Sequence, residues 1–379
     1  MRALSVVQSA LSDAVRWWTA VASGRKRPRG PSAALLGMLV MASVPYGIAS
    51  ALLQWIRASR AVRLGVPVIS VGNIVVGGTG KTPLTIYLAR KLTRLGKNVA
   101  IVSRGYGRRA RGLVVVSEGG RPLVGWEDAG DEPVLAAMVT RGVAVVVGRD
   151  RVRAARYAVD KLRADAILVD DGFQHVRLAR DLDLLAVDAT RPVGNGHLLP
   201  GGTLREHPLA VRRAGLLVAT RCGRRSGAGL VESTLGALAP ELPIVATRMR
   251  PAEFWNVSTG RTVRLSEVKE NGCLALSSIA RPRDFESTLL GLGIDLVGAV
   301  SFPDHHRYSE NDHATVLGRA REVGAGMIVT TEKDAVRLSA WRPPMPLVAL
   351  GIEVEVLSGG EFLDEALNDA ARSGGGNGA

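Results

Sequence analysis

Apolar residues in this chain cluster in short runs with little polar alternation. Runs rich in Val, Ile, Leu and Ala recur at 68–71, 99–103, 143–147, 166–169, 184–187 and 216–219. Such runs predict strands buried on both faces. Between them, helical spacing of apolar residues predicts helices over 84–95, 131–139 and 151–162. Alternating strands and helices predict an α/β fold, a parallel sheet with helices on both faces. Ligands of such sheets bind at the carboxyl ends of the strands. After residue 250 the pattern restarts. Strands are predicted at 273–277, 296–302, 327–330 and 347–352, and helices at 282–292 and 312–323, giving a smaller C-terminal α/β lobe.

The N-terminal pattern differs. Residues 1–23 have helical spacing, with Trp17 and Trp18 near the end, and 24–31 (GRKRPRGP) form a basic, proline-broken linker. Residues 31–56 then carry no charge over 26 positions, more than the about 20 a membrane-spanning helix needs. Pro45 and Gly47 interrupt this stretch. Basic residues flank both ends (Arg25, Lys26, Arg27 and Arg29; Arg57, Arg60 and Arg63), so loop charge gives no orientation. The expectation is a helix embedded in or lying on the cytoplasmic leaflet, in preference to a full span or a buried core helix. A secretory signal is not expected, because no small-residue cleavage site is evident.

Charge sharpens this picture. The net charge of +14 comes from 49 basic and 35 acidic residues. Up to Arg63 there are nine basic residues and one acid, Asp13, so more than half of the excess lies beside the apolar stretch. That favours an anionic membrane surface over nucleic acid; no interleaving of aromatic and basic residues of the RNA-binding kind is present. Cys222 and Cys273 lie far apart without metal-like spacing, so no disulfide framework is implied. With 46% hydrophobic residues, 379 positions suffice for two modest domains.

Candidate chemistry centres on residues 68–84, VISVGNIVVGGTGKTPL. A strand, a glycine-rich turn, Gly80-Lys81-Thr82 and a helix follow in the order of a phosphate-binding loop. The candidates for cradling phosphate are Gly77, Gly78, Thr79, Gly80, Lys81 and Thr82. Lys81 would reach the β- and γ-phosphates, and the Thr82 hydroxyl would ligate Mg²⁺. The spacing departs from the common form, since Val75 stands where a glycine is usual; a glycine-rich hairpin turn is the structural alternative.

Other clusters are weaker alone. Asp170 and Asp171 end the 166–169 strand and suit either a Mg²⁺-nucleotide site or a turn cap. Asp131 and Glu132 open a helix. Acids favour that position for structural reasons, but they could also supply a base for an attacking hydroxyl and an acid near the metal. Asp304, His305 and His306 follow a strand in SFPDHHRY, where an Asp–His pair could tune a proton acceptor or the histidines could simply be exposed. Residues 330–334 (TTEKD) read as a polar strand end or a capping box. The loop SRGYGRR, with Arg104 and Tyr106, is placed where an anionic substrate could be gripped, and LLPGGTLRE carries Arg205 and Glu206.

Taken together, GN…GGTGKTP, SRGYG, GDEP, DDGFQH, GNGxLLPxGxLRE, PDHxxY and TEKD, with the apolar N-terminal helix, resemble the tetraacyldisaccharide 4'-kinases of lipid A biosynthesis. The likeness runs from about residue 35 to 357. It implies a P-loop nucleoside triphosphate hydrolase-like core. It also implies transfer of the γ-phosphate of ATP, with Mg²⁺, to the 4'-hydroxyl of tetraacyldisaccharide 1-phosphate at the cytoplasmic face of the bacterial inner membrane. By the same resemblance, Asp131 would be the base and His305 its assistant. Lys81 and Thr82 would serve the phosphate loop, and Glu132, Asp170 and Asp171 the metal. Arg104, Tyr106, Arg205 and Lys333 would be substrate or closure contacts. The chain departs from the family at Thr203, where a proline is usual, and at Ser278, where a glycine is common.

The expected organisation is a basic extension (1–31), a membrane-associated helix with basic flank (32–63), a P-loop kinase core (64–250), a C-terminal lobe (251–363) and a partly disordered polar tail (364–379). The expected partners are the lipid substrate and the inner-membrane surface, with no nucleic acid and no obligate protein partner. The rival reading is a membrane-bound P-loop ATPase switch or assembly factor without a sugar acceptor; GDEP and PDHH argue for an acceptor hydroxyl instead.

Overall fold

Buried β-branched runs become strands wherever both faces can be covered, and here nearly every one does. The structure, a computed structural model, describes residues 14, 17–24, 26, 28–223 and 227–373. Its strands are, in chain order, β1 (Val68–Gly72), β2 (Val99–Ser103), β3 (Val114–Glu118), β4 (Ala144–Val147), β5 (Ala166–Asp170), β6 (Leu182–Asp188), β7 (Leu216–Thr220), β8 (Ile244–Asn256), β9 (Thr262–Val263), β10 (Cys273–Ser277), β11 (Leu296–Ser301), β12 (Met327–Thr331) and β13 (Leu347–Ser358).

The chain forms two compact units, each assembled from separate stretches. Unit one comprises Met1–Lys81, Asp165–Arg248 and Val356–Ala379; unit two comprises Thr82–Ala164 and Met249–Glu355. This differs from the expected division into a 64–250 core and a 251–363 lobe. The boundary near 250 recurs, but residues 82–164 group with the C-terminal stretch. Compactness follows spatial contact, and the chain leaves unit one after the phosphate loop and returns to it at β5.

In unit one, β1 pairs in parallel with β5 and β6, and β6 pairs with β7. The first residues of β8 extend β7, again in parallel. Phe173, Leu185, Leu217, Val231 and Leu235 form its core, all fully buried. Helix Gly360–Ser373 corrects the expected polar tail: Leu363, Leu367 and Ala370 recur at helical spacing and are buried. The glycine-rich end, 374–379, lies outside the described residues.

Helix Pro31–Ala58 starts with a proline in its first turn, where no N–H bond is lost, and runs through Pro45. Its most apolar 18-residue window has mean hydropathy 1.8 and is 6% buried, so it is long and apolar enough to cross a membrane. That exposure removes the buried core helix as a reading; Met41, Ile48 and Trp55 are each more than 60% exposed. Its polar contacts include the 198–205 loop and the 3-10 helix Pro208–Arg213 of unit one. Ser43 Oγ donates to Leu198 O (2.7 Å) and accepts from Gly201 N–H (3.1 Å). Tyr46 donates to Arg205 O (3.1 Å), and Arg213 donates to Gln54 (2.6 Å). Beside these contacts lies a 430 Å³ cavity lined by Val44, Ile48, Ala51, Leu198, His207 and Arg213 among others. Most of the helix expected over 1–23 lies outside the described residues; 17–22 are helical.

Unit two carries β2 parallel to β4, with β3 antiparallel on the other side of β4. It also holds the parallel series β11-β10-β12-β13. The antiparallel β3 was not expected from the pattern. Its sequence, VVVSE, is a short run between a glycine-arginine segment and Gly119-Gly120. Cores on either face of β10 and β12 bury Phe254, Phe285 and Leu289 on one side and Leu274, Leu276 and Ile328 on the other.

Candidate active site

The phosphate loop follows β1 in unit one. Gly72 admits no side chain, because a Cβ there would meet Cβ and the backbone nitrogen of Phe173. Gly77 and Gly80 adopt positive φ (120° and 81°), backbone that glycine takes without strain. The buried Asn73 amide donates to Thr79 Oγ1 (3.0 Å), and Thr220 donates to Thr79 O (2.8 Å), so the loop is anchored on both sides. Helix Lys81–Arg94 begins at Lys81, three residues before the apolar pattern suggests, which places Lys81 and Thr82 in its first turn. The helix N-terminus and loop N–H groups suit an anion.

Lys81 Nζ lies 3.4 Å from Asp171 Oδ1, and Arg205 Nη1 lies 3.0 Å from the same oxygen. Burial pushes the Asp171 carboxyl up, but Lys81 and then Arg205 outweigh it and hold it below the usual carboxylate range. Gln174 joins the cluster, accepting from Arg205 (3.2 Å) and donating to Asn73 O and Glu206 (both 2.8 Å). Asp170 ends β5 directly opposite Val71 of β1 and is buried. The loop around Thr203 is tied to the phosphate loop: the Thr203 carbonyl accepts from Val76 N–H (2.7 Å), and Arg205 N–H donates to Ile74 O (2.7 Å).

The second cluster lies wholly in unit two. Asp131 and Glu132 open helix Asp131–Val139, with Asp131 buried. His305 Nδ1 is 2.9 Å from Asp131 Oδ2, and Lys333 Nζ is 3.0 Å from His305 Nε2. When the ring is neutral, Nδ1–H donates to the carboxylate and Nε2 accepts from the Lys333 ammonium. Burial pushes the Asp131 carboxyl up. The His305 hydrogen bond, with Lys333, His305 and Arg337 charges, reverses this and holds it low. His305 is raised chiefly by its bond to Asp131, against burial and Lys333. Lys333 also lies 3.5 Å from Glu132 and 3.7 Å from Asp304.

The SRGYG loop packs here too. Tyr106 and His305 rings are 5.9 Å apart, and Arg307 donates to Gly107 O (3.0 Å). Gly130 must be glycine: φ is 96°, and a Cβ would lie 2.9 Å from Tyr106 O. Arg104 is exposed at the end of β2. Asp171 and His305 are two of the few non-glycine residues with positive φ (53° and 59°) among those described. Such backbone persists where surrounding structure over-determines it, often at functional positions.

Sequence reasoning missed Arg337 and the buried network that Asp334 gathers. Arg337, buried, lies 3.6 Å from Asp131 and 2.8 Å from Asp334. Asp334, fully buried, accepts from Ser278 N–H (2.9 Å) and Oγ (2.5 Å), Tyr308 (3.0 Å) and Thr331 (2.7 Å). TEKD is thus a cap that also supplies Lys333 to the Asp131–His305 pair: Thr331 caps helix Glu332–Arg337. Ser278, where glycine is common, contributes a hydroxyl bond to that buttress. One signal was readable: Arg337 falls at i+3 from Asp334 on a helix.

Among the described residues no group of three or more metal-ligating side chains occurs. Mg²⁺ does not need one, since it keeps waters and substrate phosphates and takes one or two carboxylates. Asp170 and Thr82 fit that pattern. Asp171 fits it less well, being engaged by two cations.

These features define a P-loop phosphotransferase of α/β fold. A family model described as tetraacyldisaccharide-1-P 4'-kinase matches residues 35–372. A tetraacyldisaccharide 4'-kinase of Anaeromyxobacter sp. (strain Fw109-5) is 44% identical over 316 residues, covering 82% of this chain and 84% of the relative. That of Geobacter metallireducens is 40% identical over 308 residues, covering 80% and 89%. The apo-form LpxK structure from Aquifex aeolicus in complex with ATP superposes with TM-score 0.71 at 31% identity, covering 89% of this chain and 99% of that one. The chain belongs to the tetraacyldisaccharide-1-P 4'-kinase family and is an enzyme of the kinase class.

Proposed function

We propose that this enzyme transfers the γ-phosphoryl group of ATP to the 4'-hydroxyl of tetraacyldisaccharide 1-phosphate at the cytoplasmic face of the inner membrane. The observation that carries the reading is the buried Asp131 carboxylate bonded to His305 Nδ1 at 2.9 Å, at the start of a helix. A nucleotide switch has no use for a base aimed at a sugar hydroxyl. The family match and the ATP-bound relative support the donor.

As the acceptor oxygen attacks the γ-phosphorus, its proton passes to Asp131. The bond from the γ-phosphorus to the β–γ bridging oxygen breaks, and its electron pair stays on ADP. Lys81 and the loop N–H groups receive charge developing on the phosphoryl oxygens. His305 fixes the orientation of the Asp131 carboxylate, and Lys333 holds His305 from its other nitrogen. Mg²⁺ supplies charge neutralisation on the phosphates when bound; Thr82, Asp170 and Glu132 are the proposed ligands, with Asp171 tuning Lys81.

The acceptor's acyl chains belong in a bilayer, and helix Pro31–Ala58 with its basic flanks suits that surface. The test is transfer from γ-labelled ATP to detergent-dispersed tetraacyldisaccharide 1-phosphate. Label on the lipid's 4' position supports the reading; hydrolysis of ATP with no lipid labelled would refute it in favour of a switch.

A further inference from the structure

Two arginines outside the proposed chemistry stand together at one end of a unit-two sheet. β2 and β4 are parallel neighbours, with Ser103 opposite Val147, and Gly148 N–H donates to Ser103 O (3.0 Å). Arg104 and Arg149 therefore leave the carboxyl ends of adjacent strands, where α/β sheets bind ligands. Arg149 is exposed.

Arg108 is held in the same place. Its side chain crosses Gly105, where a Cβ would lie 2.6 Å from Arg108 Cδ and 2.5 Å from Ala129 O. Its Nη2 donates to Gly112 O (2.6 Å), whereas its buried Nη1 has no partner among the described residues. Burial, followed by the Arg149 charge, lowers the Arg108 pKa. The Arg108 guanidinium, packed over Gly105 with one buried unsatisfied N–H, beside the strand end that Arg149 leaves, forms an arrangement that an anion would complete.

We propose that Arg108 and Arg149 grip the phosphate monoester that the acceptor already carries. This deepens the kinase reading and rests on it. The loop itself links the two ends of such an acceptor. Tyr106 lies against His305, and Arg108 follows two residues later, at most about 7 Å along the chain. Arg307 ties Gly107 between them to the segment that carries His305. A doubly functional acceptor, hydroxyl at one end and phosphate at the other, would be aligned by the same loop.

The experiment compares two acceptors, tetraacyldisaccharide 1-phosphate and the same lipid lacking the 1-phosphate, with wild type, Arg149→Gln, Arg108→Gln and Arg108→Lys. Wild type should prefer the phosphorylated lipid. Arg149→Gln should raise KM for it about tenfold or more while kcat stays within a factor of a few, and should erase the preference. Removing arginine and phosphate together should cost little more than removing either, and Arg108→Lys should keep part of the preference that Arg108→Gln loses. A preference that survives Arg149→Gln overturns the inference. So do equal losses on both acceptors, which would mean a structural role, and a rise in KM for ATP instead, which would assign the arginines to the nucleotide. Wild type that labels neither lipid overturns the kinase reading itself, and this inference with it.

Discussion

His305 Nδ1 meets Asp131 Oδ2 at 2.9 Å across 174 residues of sequence, and both residues belong to the same compact unit. The pair joins the start of one helix to a loop after β11. Its burial and its charge environment suit a base that must be ionised when the acceptor arrives.

Asp131→Asn preserves the shape but removes the proton acceptor. General-base removal costs roughly 10²–10⁴-fold, so kcat should fall by that order while ATP still binds. Steady-state kinetics with calorimetric ATP titration check this; a kcat within tenfold of wild type would exclude Asp131 as base.

The pair should also shape the pH dependence of stability. Asp131 has a depressed folded-state value, so its contribution is present above the unfolded carboxylate pKa and is lost as pH falls through the depressed one. His305 has a raised value, so its contribution is complete below about 6.5 and is lost as pH rises through the raised one. The gap in Tm between wild type and His305→Gln should therefore be widest between about pH 4 and 6.5 and narrow above it.

Arg205 shares Asp171 with Lys81. Removing it in Arg205→Ala leaves Lys81 as the main cation on that carboxylate and less available to phosphate. KM for ATP should rise about tenfold, the size of one charge-assisted contact. An unchanged KM would separate Arg205 from the nucleotide.

Glu332 is buried, and burial pushes its carboxyl up to about 7, against one hydrogen bond from Ile352 N–H (3.3 Å). The folded state holds the proton more tightly than the unfolded one, so stability falls as pH rises from about 4.5 to about 7. Glu332→Gln keeps the acceptor and removes the charge. It should gain up to roughly 3 kcal/mol at pH 8 and little at pH 4.5. Urea unfolding at both pH values reads this directly, and equal effects at the two would refute it.

Deleting residues 1–58 removes the exposed apolar helix, its N-terminal basic flank and Arg57. Co-sedimentation with anionic vesicles should fall sharply and become less sensitive to salt. Full retention would place the membrane contact elsewhere.

Much of this was readable from local pattern. Residues 68–71 are β-branched or small and were bound to be strand, and Gly80-Lys81-Thr82 after them marked the phosphate loop. Residues 131–139 and 151–162 form helices with the expected ends, because caps and periodicity are local. The interleaving of the two units was not readable, nor was β3, nor the helix Gly360–Ser373, whose apolar positions sit among acids and small residues.

The motifs named Asp131 and His305 separately, each with a sound structural alternative, a helix-start acid and an exposed loop histidine. That the two residues meet at all was decided only by packing. Helix Glu332–Arg337 brings Lys333 and Arg337 to the pair, and Asp334 locks Ser278, Tyr308 and Thr331 behind it. By itself, the sequence determined most of the elements, the glycine-rich loop after β1 and the apolar N-terminal helix, since these depend on residues within a turn or strand of one another. Only the tertiary structure decided that a carboxylate and an imidazole so distant in sequence share a hydrogen bond, because such a contact depends on the packing of the whole unit.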